Sequence, residues 1–156
     1  GLGRIGKMVS EMFSNFGNKV IGYDINIDSL WAKNNKITIQ KNLNKLIQSS
    51  DILTLHVPPN KDNSYVIGKD ELNLIKETAF LINASRGGVI DEVFLFELLS
   101  KNKIRGAAID VFSEEPYSGP LTSLKNVILT PHLGSYAAEG KLKMEIDAVN
   151  NLLNNL

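Results

Sequence analysis

The chain has 156 residues, 43% of them hydrophobic, which is enough for one domain with a buried core and excludes compositional disorder. Seventeen Lys and Arg balance seventeen Asp and Glu, so no strong net field draws in nucleic acid or an anionic membrane surface. There is no Cys for a disulfide or a thiolate zinc site, and no apolar run nears the roughly 18 residues of a membrane helix. A reducing, cytoplasmic location fits this composition. The basic residues include only three Arg, at positions 4, 86 and 105, so each raises the question of whether a planar, forked cation is needed there.

In chain order, GLGRIG opens the sequence and RIGKMVSEMFSNFG reads as a helix, with Ile5, Met8, Val9, Met12, Phe13 and Phe16 at helical spacing and Gly17 ending it. KVIGYD is a short buried strand and ITI a small edge strand. NLNKLIQSS is a short helix, DILTLHVPP a strand ended by two prolines, and ELNLI a helical turn or two. AFLINAS is a strand, VIDEVFLFELLSKN a helix, and IRGAAIDVF and NVILTPH are strands. From about Ser135 a helix is expected to run to the end, with Leu142, Ile146, Val149, Leu152 and Leu153 spaced for burial. The strands are continuous apolar runs, which predicts a sheet covered on both faces: an α/β fold with a doubly wound parallel sheet of the Rossmann type.

Gly1, Gly3 and Gly6 form a G-x-G-x-x-G, whose glycines suit a tight turn, close approach to a pyrophosphate, and close helix–sheet packing. Such a loop normally follows a strand, so the first strand of the sheet is expected to be missing from the chain. Asp24 ends KVIGYD eighteen residues beyond Gly6, near the spacing of a ribose-binding acid. It either accepts the adenosine ribose hydroxyls, favouring NAD over NADP, or caps the following turn. Four later strands stop in HVPP, NASRGG, DVFSEEP and TPHLGS, where an open α/β sheet places its ligand. Arg86, at one of these ends, either pairs with an internal acid or awaits an anion such as a carboxylate. His132, at another, is either structural or, with Glu115 fixing its tautomer, a proton donor to a carbonyl oxygen.

The motifs GLGRIG, the acid of YD, LHVPP, LINASRGGVID, GAAIDVFSEEP and TPHLGSYAAEG resemble, in order and over nearly the whole chain, the NAD-binding domain of the D-isomer-specific 2-hydroxyacid dehydrogenases. The SYA form is similar to the phosphoglycerate dehydrogenase branch. NKDNS after LHVPP and the two alanines of SYAAEG depart from the threonines common there.

The resemblance implies that Arg86 orients the substrate carboxylate and carbonyl, that Glu115 pairs with the catalytic histidine, and that His132 moves the proton. It implies an NAD site built by Gly1, Gly3, Arg4, Ile5 and Gly6 at the pyrophosphate, and by Asp24 at the ribose. Val57 and Pro58 would lie on the adenosine side, and Asp110 at the nicotinamide carboxamide. Ala84, Ser85, Arg86, His132 and Gly134 would flank the nicotinamide. His56 is either a position near the cofactor or a satisfied strand-end histidine. On this reading residues 1–156 are an NAD-binding domain within a longer protein that carries the substrate-binding domain, and the piece alone binds NAD weakly without turnover. The substrate would be a 2-hydroxy or 2-keto acid, with phosphoglycerate first. A homodimer would form through this domain, with Val93, Phe94 and Phe96 as exposed apolar candidates. The alternative is an NAD-sensing dimeric module of the corepressor type.

Overall fold

The computed structural model describes residues 1–155. Helix α1 spans Arg4–Asn15, followed by β1 (Ile21–Gly22), α2 (Ser29–Asn34), β2 (Thr38–Ile39), α3 (Leu43–Ser49) and β3 (Ile52–Leu55). Then come α4 (Lys69–Leu72), β4 (Phe80–Asn83), α5 (Glu92–Ser100), β5 (Gly106–Ile109), a 3-10 turn (Pro120–Ser123), β6 (Val127–Leu129) and α6 (Ala138–Leu153). The expected helix to the chain end stops at Leu153, and Leu156 lies outside the described residues. Helix α2 and the 3-10 turn are additions to the elements read from sequence. Asp28 starts α2 by accepting the Trp31 N–H at 3.0 Å, and Pro120 sits in the first turn of the 3-10 segment.

All strand pairs are parallel. β1 pairs with β2, and β3, β4, β5 and β6 form a second sheet in that order. β1 and β3 do not pair; a cleft lined by Leu2, Val9, Ile21, Leu43, Leu53 and Val57 lies between them. The Gly1 nitrogen reaches one side of that cleft, donating to the Tyr23 carbonyl at 2.9 Å.

The core lies on one face of the four-stranded sheet. Leu53, Leu55, Leu81, Ala107 and Ile109 pack with Leu46 and Ile47 of α3, Leu72 of α4, and Leu95 and Leu99 of α5. On the opposite face Ile52, Phe80 and Ile128 are exposed. β3 and β4 therefore alternate in burial, and the parallel α/β sheet of Rossmann type is as expected, with residues of one face left open among those described. Their outer residues are as apolar as their inner ones, so composition hid the alternation.

Two helices show the same thing. α6 buries none of its residues, although its Leu142, Ile146, Val149, Leu152 and Leu153 are spaced for burial. α1 packs through Gly6 and Ser10, leaving Ile5, Met8, Met12 and Phe16 exposed. Spacing marks the face a helix is able to bury; burial also needs an element lying against that face. On α5, Val93 is exposed, while Phe94 and Phe96 are partly buried against the core.

A one-sided core makes a direct prediction. Leu81→Ala, at a side chain with no exposure, is expected to lower unfolding free energy by about 2–5 kcal/mol in urea titration, whereas Ile128→Ala on the open face costs under about 1 kcal/mol. Equal losses would contradict the assignment of faces.

Candidate active site

The ladder register sets the site. Leu55 pairs with Asn83, Asn83 with Ile109 and Ile109 with Leu129, so the strands end level. The first residues beyond them, His56, Ala84, Asp110 and Thr130, form a row along the carboxyl edge of the sheet.

At one end of the row is the glycine loop. A Cβ on Gly6 would collide with the Gly1 carbonyl, and one on Gly1 would press on the His56 carbonyl and the Val57 side chain. A Cβ on Gly3 would meet nothing within 4 Å. The loop is thus closed tightly against the sheet edge on one side and open on the other. Arg4, Ile5 and Gly6 begin α1, where backbone N–H groups have no carbonyl within the helix to bond, and no acidic side chain occupies that first turn. A bound anion would meet those groups directly.

Asp24 accepts the backbone N–H of Leu2, inside the glycine loop, and of Asn26 at 2.8 Å. Burial acts to raise its carboxyl, but the N–H groups of Asn26 and Leu2 outweigh this and lower it, keeping it ionised at neutral pH. Asp24 therefore does shape the turn after β1, and it ties that turn to the loop as well.

Ile5, His56, Val57, Pro58, Ala84, Ser85 and Arg86 line one crevice of about 200 Å³. Six of these seven are predicted site residues. The seventh, His56, lines the same crevice and has its Nε2 3.1 Å from Thr54 Oγ1, and burial lowers its imidazole from the ordinary value. Arg86 donates through Nη1 to the Ser85 carbonyl at 2.6 Å and forms no ion pair among the described residues. Of its two alternatives, the internal acid is not there.

At the other end of the row, His132 Nδ1 lies 2.9 Å from Glu115 Oε2. The other Glu115 oxygen accepts the Phe112 N–H at 3.0 Å, so the carboxylate is held from two sides. The imidazole contact, then the Phe112 N–H, lowers the Glu115 carboxyl from its ordinary value. With Nδ1 turned to Glu115, the tautomer is fixed and Nε2 is left for a reacting group. A second cavity of about 520 Å³ adjoins Glu115, lined by Phe112, Tyr117, Leu129 and Tyr136 among others.

Asp110 organises the segment that carries His132. Its Oδ1 accepts the Thr130 hydroxyl and the Leu133 N–H (2.9 Å), and its Oδ2 accepts the Gly134 N–H at 3.2 Å. Burial acts to raise this carboxyl, but Thr130, then the two N–H groups, then the His132 charge, together lower it. The two ends of the row are joined through Gly87. A Cβ there would collide with the Phe112 carbonyl, so the loop carrying Arg86 lies against the residue whose N–H holds Glu115.

Sequence reasoning missed two residues that build these loops. Asn83 is 2% exposed; its side chain accepts from Ser85 N (3.1 Å) and Oγ (2.7 Å) and donates to the Arg86 carbonyl at 3.1 Å. Its signal was a lone amide inside an apolar strand. Thr130 was quoted within TPHLGS, but its partner is twenty residues away, and no local spacing connects them.

The family described as D-isomer specific 2-hydroxyacid dehydrogenase, NAD binding domain, matches residues 1–134. The chain belongs to that family. It is 42% identical over 142 residues to a D-3-phosphoglycerate dehydrogenase of Methanocaldococcus jannaschii, covering 90% of this chain and 27% of that protein. It is 38% identical over 162 residues to a glyoxylate reductase of Aeropyrum pernix, covering 98% of this chain and 46% of the relative. The chain thus spans half or less of the relatives it matches. Among solved structures, the NAD complexed form of a D-isomer specific 2-hydroxyacid dehydrogenase from Lactobacillus delbrueckii ssp. bulgaricus superposes with a TM-score of 0.87 at 28% identity, over 98% of this chain and 50% of that one. An acyclic imino acid reductase in complex with NADPH and D-Arg gives 0.86 at 34%, over 99% and 48%. Residues 1–134 therefore belong to an NAD-binding domain family, with the Rossmann-type fold of its structural neighbours. Among its described residues no helix is long and apolar enough to cross a membrane.

The lowered carboxyl of Asp110 carries a pH dependence. Its stabilising contribution is fully present above the ordinary carboxylate range near pH 3.9 and is lost as pH falls through the lower folded value. In acid unfolding followed by fluorescence, Asp110→Asn should lose stability less steeply below about pH 4 than the parent chain does. Identical slopes would mean that the three donors do not act on this carboxylate in solution.

Proposed function

We propose that this protein is an NAD-dependent dehydrogenase that interconverts a D-2-hydroxy acid and its 2-keto acid. His132 is the acid and base, Glu115 its orienting partner, and Arg86 the clamp for the substrate's carboxylate and carbonyl. The observation that carries this reading is the 2.9 Å contact of His132 Nδ1 with Glu115, which leaves Nε2 free on the same sheet edge as an arginine without an acidic partner.

The residues present fit the cofactor. The loop Gly1 to Gly6 is closed where it packs and open at Gly3, with the free N–H groups of α1 available to phosphate oxygens. Asp24 supplies a fixed carboxylate for a ribose diol and repels a 2′-phosphate. Val57 and Pro58 would bound the adenosine side, Ala84 to Arg86 and His132 to Gly134 the nicotinamide side, with Asp110 near the carboxamide. Bound NAD would supply the hydride acceptor, and its reduced form the donor.

The chain's own residues do the remainder. Arg86 gives a keto acid a forked pair of donors, matching carboxylate geometry and withdrawing charge from the adjoining carbonyl. His132 places a proton at the carbonyl oxygen in the reductive direction and removes one from the hydroxyl in the oxidative direction. Glu115 holds the ring through Nδ1 so that Nε2 faces the substrate. The substrate class is argued from relatives named for phosphoglycerate and for glyoxylate, both small acids with oxygen at carbon 2. Phosphoglycerate is tried first and glyoxylate beside it, because relatives named for each reach 42% identity.

Two experiments on the complete protein test this. His132→Asn should lower kcat by about 10²- to 10⁴-fold while leaving NADH affinity within about twofold, and Arg86→Gln should act mainly on the KM of the keto acid. Failure of the parent protein to reduce any 2-keto acid with NADH, or full turnover by the Asn variant, would refute the reading. In the second, titration should show NAD binding at least about tenfold more tightly than NADP, with the ratio shrinking in Asp24→Asn. Equal affinities in the parent would remove Asp24 from its proposed role.

A further inference from the structure

Thr130 is the first residue after β6, and its N–H already donates to the Ile109 carbonyl at 3.1 Å, so the sheet does not need its side chain. Its hydroxyl instead donates to Asp110 Oδ1, which also accepts the Leu133 N–H (2.9 Å), while Oδ2 accepts the Gly134 N–H at 3.2 Å. Donors on both sides of His132 thus converge on one carboxylate. Asp110 is itself fixed from behind, its N–H donating to the Asn83 carbonyl at 2.9 Å.

The residue enclosed by this closure is the one with the unusual backbone. His132 has φ +57°, in the left-handed region that non-glycine residues seldom occupy. Such a conformation persists where the surroundings over-determine it. Here Pro131 restricts the chain before the histidine, and the Leu133 and Gly134 N–H groups are tied down after it. The imidazole is thereby carried to Glu115. Leu133 and Gly134 contribute backbone donors, which substitution does not remove. Thr130 contributes the one side-chain donor in the closure.

We propose that Thr130 is a positioning residue. It acts through Asp110, holding the 130–134 turn so that His132 Nδ1 meets Glu115 and Nε2 faces the crevice. This deepens the dehydrogenase reading and rests on it for the kinetic consequence. Thr130 itself touches no reacting atom.

The test compares Thr130→Val, which keeps the shape and loses the donor, with Thr130→Ser, which keeps the donor. In the complete protein, the Val variant should lower kcat by about 10- to 100-fold with keto-acid KM and NADH affinity within about twofold, and the Ser variant should return kcat to within about threefold of the parent. A second readout does not depend on turnover. In the complete protein the ¹⁵N ring resonances of His132 and His56 are assigned by their loss on substituting each histidine in turn. In the Val variant the His132 signals should lose their Nδ1–carboxylate signature while those of His56 stay in place. Unchanged His132 signals, failure of Ser to restore them, or equal displacement of both histidines would overturn the proposal, the last by showing a general loss of fold. If the parent turns over no 2-keto acid, the dehydrogenase reading falls, and the resonance comparison still decides the role of Thr130.

Discussion

The level parallel register of β3, β4, β5 and β6 is the constraint on which the candidate site depends. Leu55, Asn83, Ile109 and Leu129 lie in one line across the sheet. In a strand a shift of one residue reverses the side that each side chain faces. A slip of β5 by one position would bring Ile109 out of the core and take Asp110 away from the edge where Thr130, Leu133 and Gly134 meet it. The same burial that holds Leu81 and Ile109 inside therefore fixes where the polar residues stand. Much of the site's geometry follows from apolar packing several residues away from it.

On that edge the two acids act differently. Asp110 gathers donors from one turn and serves as its centre, and the side-chain donor among them is supplied by Thr130. Glu115 accepts one N–H from its own segment and spends its other oxygen on the imidazole. The Glu115–His132 pair is too exposed to contribute much to stability. Its importance is directional: a carboxylate at Nδ1 decides which ring nitrogen is left unpaired. Asp110 lies within the field of the same imidazole, which helps to lower the carboxyls of both the turn's anchor and the ring's partner.

Much of this was legible in the sequence, and the parts that were not share a cause. The glycine loop, the acid after β1 and the four strand ends could be found because each is a local string whose residue types have a narrow set of uses. The structure brings Glu115 to His132 and Arg86 to the crevice with Val57 and Pro58, as those strings suggested. What could not be read were relations between distant positions. Thr130 looks like an ordinary strand-end threonine until Asp110 is beside it, and Asn83 looks misplaced in an apolar run until the loop of Arg86 folds over it. The open faces were hidden for the same reason. Apolar residues at Ile52, Phe80 and Ile128, or along α6, record what a surface would bury, while a partner element decides whether it does. Helix α2 escaped because its six residues, SLWAKN, give less than two helical turns and bury only Ala32.

The state of Arg86 follows from the same separation of roles. An arginine enclosed in the core would need a carboxylate beside it, because a buried unpaired charge is expensive. Arg86 is held at the edge, with water available to the guanidinium and one carbonyl within reach, so leaving it without an acid is tolerable. That permits a clamp: an internal partner would have to be displaced before a substrate carboxylate could bind, whereas a solvated guanidinium has only water to give up. The acids nearby are occupied elsewhere, Asp110 by its turn and Glu115 by the imidazole. Each carboxylate has a donor set of its own, and Arg86 forms no ion pair among the described residues.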